Sequence, residues 1–265
     1  MKGHRSIPAL ITAIAALAGA VCGNAAFARS PKEVLFVGNS LTYVGNLPAV
    51  FDSVQPNDHS RTESDMLVAA GATLTERLRD GSLAKALTTK RYDVVVLQER
   101  GGDFACGFGQ VVCRDSRQSL GQLAQLIQAH GAVPILLGTY QLDKEAAATI
   151  EAAESRAAAE LKIGYVPVAN LLTELRMRYP NMNWFASDGM HPGSDLTLVE
   201  ALLLFKKVYG ATPPASAISV RAPIFALKAP PLEIRSASSV KGISGVREGI
   251  DYESNRVAVL LEHIN

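Results

Sequence analysis

Short, largely apolar runs alternating with longer amphipathic runs constrain this chain more than any other feature. The short runs are EVLFVG (33–38), SDMLVAA (64–70), YDVVVLQE (92–99), AVPILLGTY (132–140) and GYVPVA (164–169), each of strand length. Between and after them stand NLPAVFDSVQ, TLTERLRDGSLAKALTT, SRQSLGQLAQLIQAHG, KEAAATIEAAESRAAAELK and DLTLVEALLLFKKVYG, where Leu, Ala and Ile recur at i, i+3 and i+4. That spacing marks helices with one apolar face, and Gly131 ends the third of them. Strands joined by helices form a parallel sheet, because parallel neighbours need crossovers and crossovers are right-handed. The fold class predicted is therefore α/β: a flavodoxin-like doubly wound parallel sheet of five strands in the order 2-1-3-4-5, with helices on both faces in three α/β/α layers.

The N-terminus reads as a leader. Lys2 and Arg5 precede an uncharged run of 13 residues from Ala9 to Val21, and Ala26-Phe27-Ala28 has the small-x-small form of a cleavage site. This predicts a signal peptide over 1–28, with export to the periplasm or beyond. A bilayer span needs roughly 20 apolar residues, so no stable membrane anchor is expected. Cys22 would suit a lipoprotein only if a small residue preceded it, and Val21 does not fit. The remaining 237 of 265 residues are enough for one domain over 29–210. Beyond it, 211–265 loses the rhythm, carries several prolines and short β-like pieces, and is expected to pack along the domain as an extension. Without the leader, 24 of the 26 Lys+Arg remain against 25 Asp+Glu, a balance that attracts neither nucleic acid nor anionic lipid.

Of the three cysteines, Cys106 and Cys113 follow the leader. In an oxidising compartment they are expected to pair, stapling the glycine-rich loop RGGDFACGFGQVVC into a wall of any nearby site. A metal site would need further ligands, and no His, third Cys or carboxylate stands at zinc-like spacing around them. No metal or cofactor is expected.

Ligands of a doubly wound sheet sit beyond the carboxyl ends of its strands. Ser40, in FVGNSLT, lies just past the first strand, where a small hydroxyl residue is either a turn-former or a nucleophile. NWFASDGMHPGSD (183–195) supplies what a nucleophile would need: His191 to take its proton and Asp188 to orient the imidazole, with Pro192 opening the next helix. Three donors are candidates to hold a developing oxyanion: the Ser40 N–H, the Gly71 N–H past the second strand, and the side-chain amide of Gln98 past the third.

These blocks together resemble the SGNH hydrolase superfamily, the GDSL esterases and lipases, over about residues 33 to 210. FVGNSLT is similar to the family's first block, AAGATL to the second and SDGMHP to the last. The resemblance implies a Ser40–His191–Asp188 triad with Ser40, Gly71 and Gln98 as the oxyanion hole. Two positions depart from the usual pattern: Asn39 replaces the Asp of the eponymous motif, and Leu97-Gln98-Glu99 replaces Gly-x-Asn, as in branches that carry Gln-Glu there.

Other residues have bland readings beside functional ones. Asn39, Tyr43, Glu99 and Trp184 are candidate pocket residues, although Glu99 equally suits an ion pair with Arg100 and Trp184 better suits packing on the last helix. Asn46 suits a helix cap. Asp195 is a rival partner for His191, but its place inside a helix suits capping or solvation. His130 suits a helix end, and His59 and His263 have no carboxylate at triad-like spacing. The function predicted is an exported small-acyl esterase, acetyl in the first instance, on a glycan or similar small-molecule ester. Rivals are a thioesterase or lysophospholipase using the same residues, and a carbohydrate- or phosphate-binding module that uses no nucleophile.

Overall fold

The computed structural model describes residue 1 and residues 32–54, 63–225, 233–239 and 247–264. The expected leader lies outside the described residues. The parallel strands are β1 (Val34–Gly38), β2 (Ser64–Val68), β3 (Val94–Leu97), β4 (Val133–Leu137) and β5 (Gly164–Val166). They pair in the order 2-1-3-4-5, with β1 hydrogen-bonded to both β2 and β3. The C-terminal part adds β6 (Ile218–Ile224), β7 (Arg235–Ser236) and β8 (Arg247–Tyr252). The two residues of β7 pair antiparallel with β2, so the sheet has six strands and not five. β6 and β8 form a separate antiparallel pair. The five-strand reading missed β7 because two residues carry no periodicity.

Nine helices stand among the described residues: α1 (Ser40–Tyr43), α2 (Leu47–Ser53), α3 (Leu74–Arg79), α4 (Ser82–Thr89), α5 (Gln110–Ala129), α6 (Lys144–Leu161), α7 (Ala169–Arg178), α8 (Ser194–Tyr209) and α9 (Ser254–Leu261). Alternate strand residues point to opposite faces. Phe36, Met66, Val96 and Leu137 meet α2, α7, α8 and α9 in one core. Val37, Leu67, Leu97 and Leu136 meet α3, α4 and α5, together with Ala157 and Ala158 of α6, in the other. Each fully buried Leu, Phe or Val contributes roughly 1.5–3 kcal/mol, which makes these two layers the main support of the fold. Within the first core Phe36 and Phe51 meet edge to face, their centroids 5.7 Å apart.

Two helix boundaries differ from the sequence reading. The single helix expected over 73–89 is two, because Gly81 adopts a left-handed conformation and Asp80 Oδ1 accepts the Ser82 N–H at 2.8 Å, which turns the chain between α3 and α4. α5 begins at Gln110, so Cys113 belongs to a helix and only the residues before it form the expected loop.

Parts of the C-terminal segment are tied to the sheet and helices. Asn46 Nδ2 donates to Pro223 O at 2.7 Å and Ala237 O at 2.8 Å, Lys206 Nζ to Ile264 O at 2.8 Å, and Tyr252 Oη to Ser194 O at 3.0 Å. Among the described residues no helix is long and apolar enough to cross a membrane.

Candidate active site

β1 ends in glycine for a steric reason. A Cβ on Gly38 would lie 2.1 Å from Thr42 Oγ1, so the turn into α1 closes only around a residue without a side chain. Asn39 then caps α1: its Oδ1 accepts the Leu41 N–H at 3.0 Å, and its Nδ2 donates to Ala72 O at 3.1 Å and Gln98 O at 3.5 Å. One buried amide thus joins the segments leaving β1, β2 and β3. Asn39 is a brace of the site and not a pocket residue. Ser40 follows as the first residue of α1, partly exposed, and its backbone N–H has no partner within the helix.

His191 reaches Ser40 from the loop before α8. That loop folds back on itself: Gly193 N–H donates to Trp184 O at 2.9 Å and Ala186 N–H to His191 O at 2.8 Å, while Phe185 and Pro192 form a bridge. Pro192 is therefore extended and does not open α8, whose first residue is Ser194 with Gly193 as its cap. At the tip, Asp188 Oδ1 accepts the N–H groups of Met190 and His191, each at 3.0 Å. Asp188 Oδ2 lies 2.5 Å from His191 Nδ1, and His191 Nε2 lies 2.8 Å from Ser40 Oγ, across 151 positions of sequence. These hydrogen bonds, the His191 ring first, hold the Asp188 carboxyl down to about 2. Tyr140 Oη donates to Met190 O at 2.9 Å and steadies the same loop from the end of β4. The side chains of His191 and Asp188 are 21% and 24% exposed, so the line of three groups opens to solvent.

Asp195 does not compete for His191. It is buried at the start of α8, where Oδ2 accepts the Asn183 N–H and pairs with Arg256 Nη1, both at 2.6 Å.

Two of the three expected oxyanion donors, Ser40 and Gly71, keep their N–H groups free of backbone carbonyls among the described residues. Gly71 is exposed immediately beyond β2. Gln98 differs. It is 1% exposed, its Oε1 accepts the Thr42 hydroxyl at 2.6 Å, and its Nε2 donates to Glu200 Oε1 at 3.5 Å. The alternation along β3 turns Gln98 under α1 and toward α8, so its amide braces the turn that carries Ser40 from below. Glu200 is fully buried, and burial holds its carboxyl well above the usual carboxylate range.

The remaining pocket candidates are also structural. Tyr43 belongs to the core. Glu99 is buried, accepts Leu74 N–H at 3.1 Å and Arg100 N–H at 3.0 Å, and is pushed up to about 7 by burial and the nearby Asp103. The Arg100 guanidinium pairs with Asp103 at 2.8 Å and not with Glu99. Trp184 is largely buried, with its Nε1 donating to Tyr179 O at 2.9 Å, and it lines a groove with Phe185 and Arg176. Asn46 caps α2, as its bland reading had it. His130 caps α5, where Nδ1 lies 2.9 Å from Leu126 O, and His263 lies 3.2 Å from Tyr179 Oη. His59 lies outside the described residues.

Cys106 and Cys113 form a disulfide between the loop after β3 and the first turn of α5. Arg117 Nη2 donates to Phe104 O at 2.8 Å, and Gln141 Nε2 to Gly101 O at 3.3 Å, fixing this loop against α5 and the segment after β4. Among the described residues no cluster of three or more His, Cys, Asp or Glu side chains is gathered as a metal would require.

Sequence reasoning missed Thr42, Tyr140 and Glu200. The signal for Glu200 was visible: it is the one charge inside the apolar stretch LTLVEALLLF.

No family model and no curated protein matches the chain. Solved structures do. A protein of Slackia heliotrinireducens described as a candidate SGNH hydrolase superposes with a TM-score of 0.56 at 23% identity, over 68% of this chain and 100% of its own. A mutant of an acetyl-xylooligosaccharide esterase from Geobacillus superposes with a TM-score of 0.53 at 13% identity, over 68% and 94%. A candidate GDSL-like lipase of Parabacteroides merdae superposes with a TM-score of 0.51 at 14% identity, over 69% and 97%. The chain has the fold of the SGNH, or GDSL-type, hydrolases.

Proposed function

We propose that the protein is a serine ester hydrolase working through a two-step acyl-enzyme route. The observation that carries this reading is the continuous line from Ser40 Oγ through His191 Nε2 to His191 Nδ1 and Asp188, at 2.8 and 2.5 Å. Ser40 Oγ attacks the ester carbonyl as His191 Nε2 takes its proton, and the ionised Asp188 stabilises the imidazolium. The N–H groups of Ser40 and Gly71 receive the oxyanion. His191 then returns the proton to the leaving alkoxide, releasing the alcohol. In the second step water, deprotonated by His191, attacks the acyl group and releases the acid and Ser40.

A small acyl group, acetyl in the first instance, on a glycan is the substrate class we infer. An open line of catalytic groups suits a bulky alcohol, and a structure of the same fold belongs to an acetyl-xylooligosaccharide esterase. The segment 1–28 is proposed as a cleaved leader for export, which predicts a mature N-terminus at Arg29. The test of the activity is hydrolysis of p-nitrophenyl acetate by the purified protein. Turnover by the wild type and a loss of about 10⁴–10⁶ in kcat for Ser40→Ala are expected; equal turnover by both would refute the reading.

A further inference from the structure

A groove of about 570 Å³ lies behind the His191 loop, lined by Leu142, Met177, Trp184 and Phe185 and by two cations, Lys144 and Arg176. Its volume falls within the roughly 300–1,000 Å³ of small-molecule sites. The Phe185 ring is 5.9 Å from that of Tyr140, whose hydroxyl holds Met190 O, so the groove's aromatic wall is tied to the loop that carries His191. Met177 is 68% and Leu142 50% exposed, large apolar side chains that neither core uses. Arg176 lies 4.9 Å over Phe185 and donates to Leu142 O at 3.2 Å, which fixes its guanidinium at the rim. Among the described residues neither Lys144 nor Arg176 has an acidic partner, and no acidic side chain lines the groove.

Four apolar side chains beside two cations without an acidic partner suit a ligand with an apolar face and a carboxylate. An uncharged acyl chain would leave both charges unmatched, and so would a neutral sugar. A pyranose ring carrying a carboxylate supplies both, its C–H face to Met177 and Leu142 and its anion to Lys144 and Arg176. We propose that this groove is a subsite for an acidic sugar unit, so that the substrate is an ester on a uronate-bearing glycan. The proposal rests on the ester-hydrolase reading for its placement in a reaction, but binding in the groove needs no turnover.

Trp184, the single tryptophan of the chain, reports on the groove directly. Its fluorescence is titrated with trigalacturonate and, separately, with xylotriose, using the full chain. Saturable change with trigalacturonate and none with xylotriose is expected, weakened about tenfold when Lys144→Ala and Arg176→Gln are combined. In the wild type alone, raising NaCl from about 0.05 to 0.5 M should weaken it several-fold, which keeps the test decisive even if the double variant misfolds. An equal response to both trisaccharides, no response to either, or a response to phosphatidylglycerol vesicles in place of trigalacturonate would overturn the proposal. Because Ser40→Ala protein serves equally well here, absence of ester cleavage would refute the catalytic reading and leave this measurement to stand separately.

Discussion

Ser40, His191 and Asp188 form one hydrogen-bonded line, at 2.8 and 2.5 Å, and the buried amide of Gln98 stands beneath it. Gln98 was legible as a polar residue at a strand end but not in its direction, which the alternation of β3 and the Thr42 hydroxyl decide. The two roles make different predictions. Losing an oxyanion donor lowers kcat by about 10²–10³. A brace beneath the nucleophile affects stability more than chemistry, so Gln98→Met is expected to cost about 1–3 kcal/mol by leaving Thr42 and Glu200 without their partner. Its kcat on p-nitrophenyl acetate should fall less than tenfold. Melting curves and kinetics on the same preparation separate the two, and a hundredfold fall in kcat at unchanged stability would return Gln98 to the oxyanion hole.

At the scale of elements, the site depends on how tightly β1 turns into α1. Gly38→Ala would drive a methyl group into Thr42 Oγ1 and should displace Ser40 from His191. A double-variant cycle with Thr42→Ala checks the cause: removing the hydroxyl should recover part of the loss, with a coupling of about 0.5–3 kcal/mol between the two positions. Strict additivity would place the damage elsewhere. The disulfide between the β3 loop and α5 closes a short ring, so Cys106→Ser with Cys113→Ser should lower stability by roughly 2.5 kcal/mol, measured by denaturant titration. The long helices and central strands were readable because their apolar period is sustained. β7 and α1 were not, since two and four residues show no period, and the break between α3 and α4 depended on the backbone of a single glycine.

Across the whole molecule, the order 2-1-3-4-5 followed from the strand–helix alternation, while the way the C-terminal segment joins the sheet edge through β7 rests on long-range pairing that no local pattern announces. Three largely buried carboxyls in separate parts of the fold give it a common pH response. Asp52, Glu99 and Glu154 are each pushed up to about 7, chiefly by burial. Their folded-state values exceed their unfolded ones, so the contribution is complete below about pH 4 and is lost as pH rises through 7, at most about 4 kcal/mol each. The melting temperature should therefore fall between pH 5 and 8.5, as scanning calorimetry can measure; a rise over that interval would contradict the assignment. Asp188, held down to about 2, stays ionised throughout, as the proposed mechanism requires. The most direct test of that line is the mass of the intact protein after exposure to a fluorophosphonate. A single adduct that maps to Ser40, absent in Ser40→Ala and sharply reduced in His191→Ala, is the predicted result; folded protein that takes up no reagent, or takes it up equally without His191, would contradict the account.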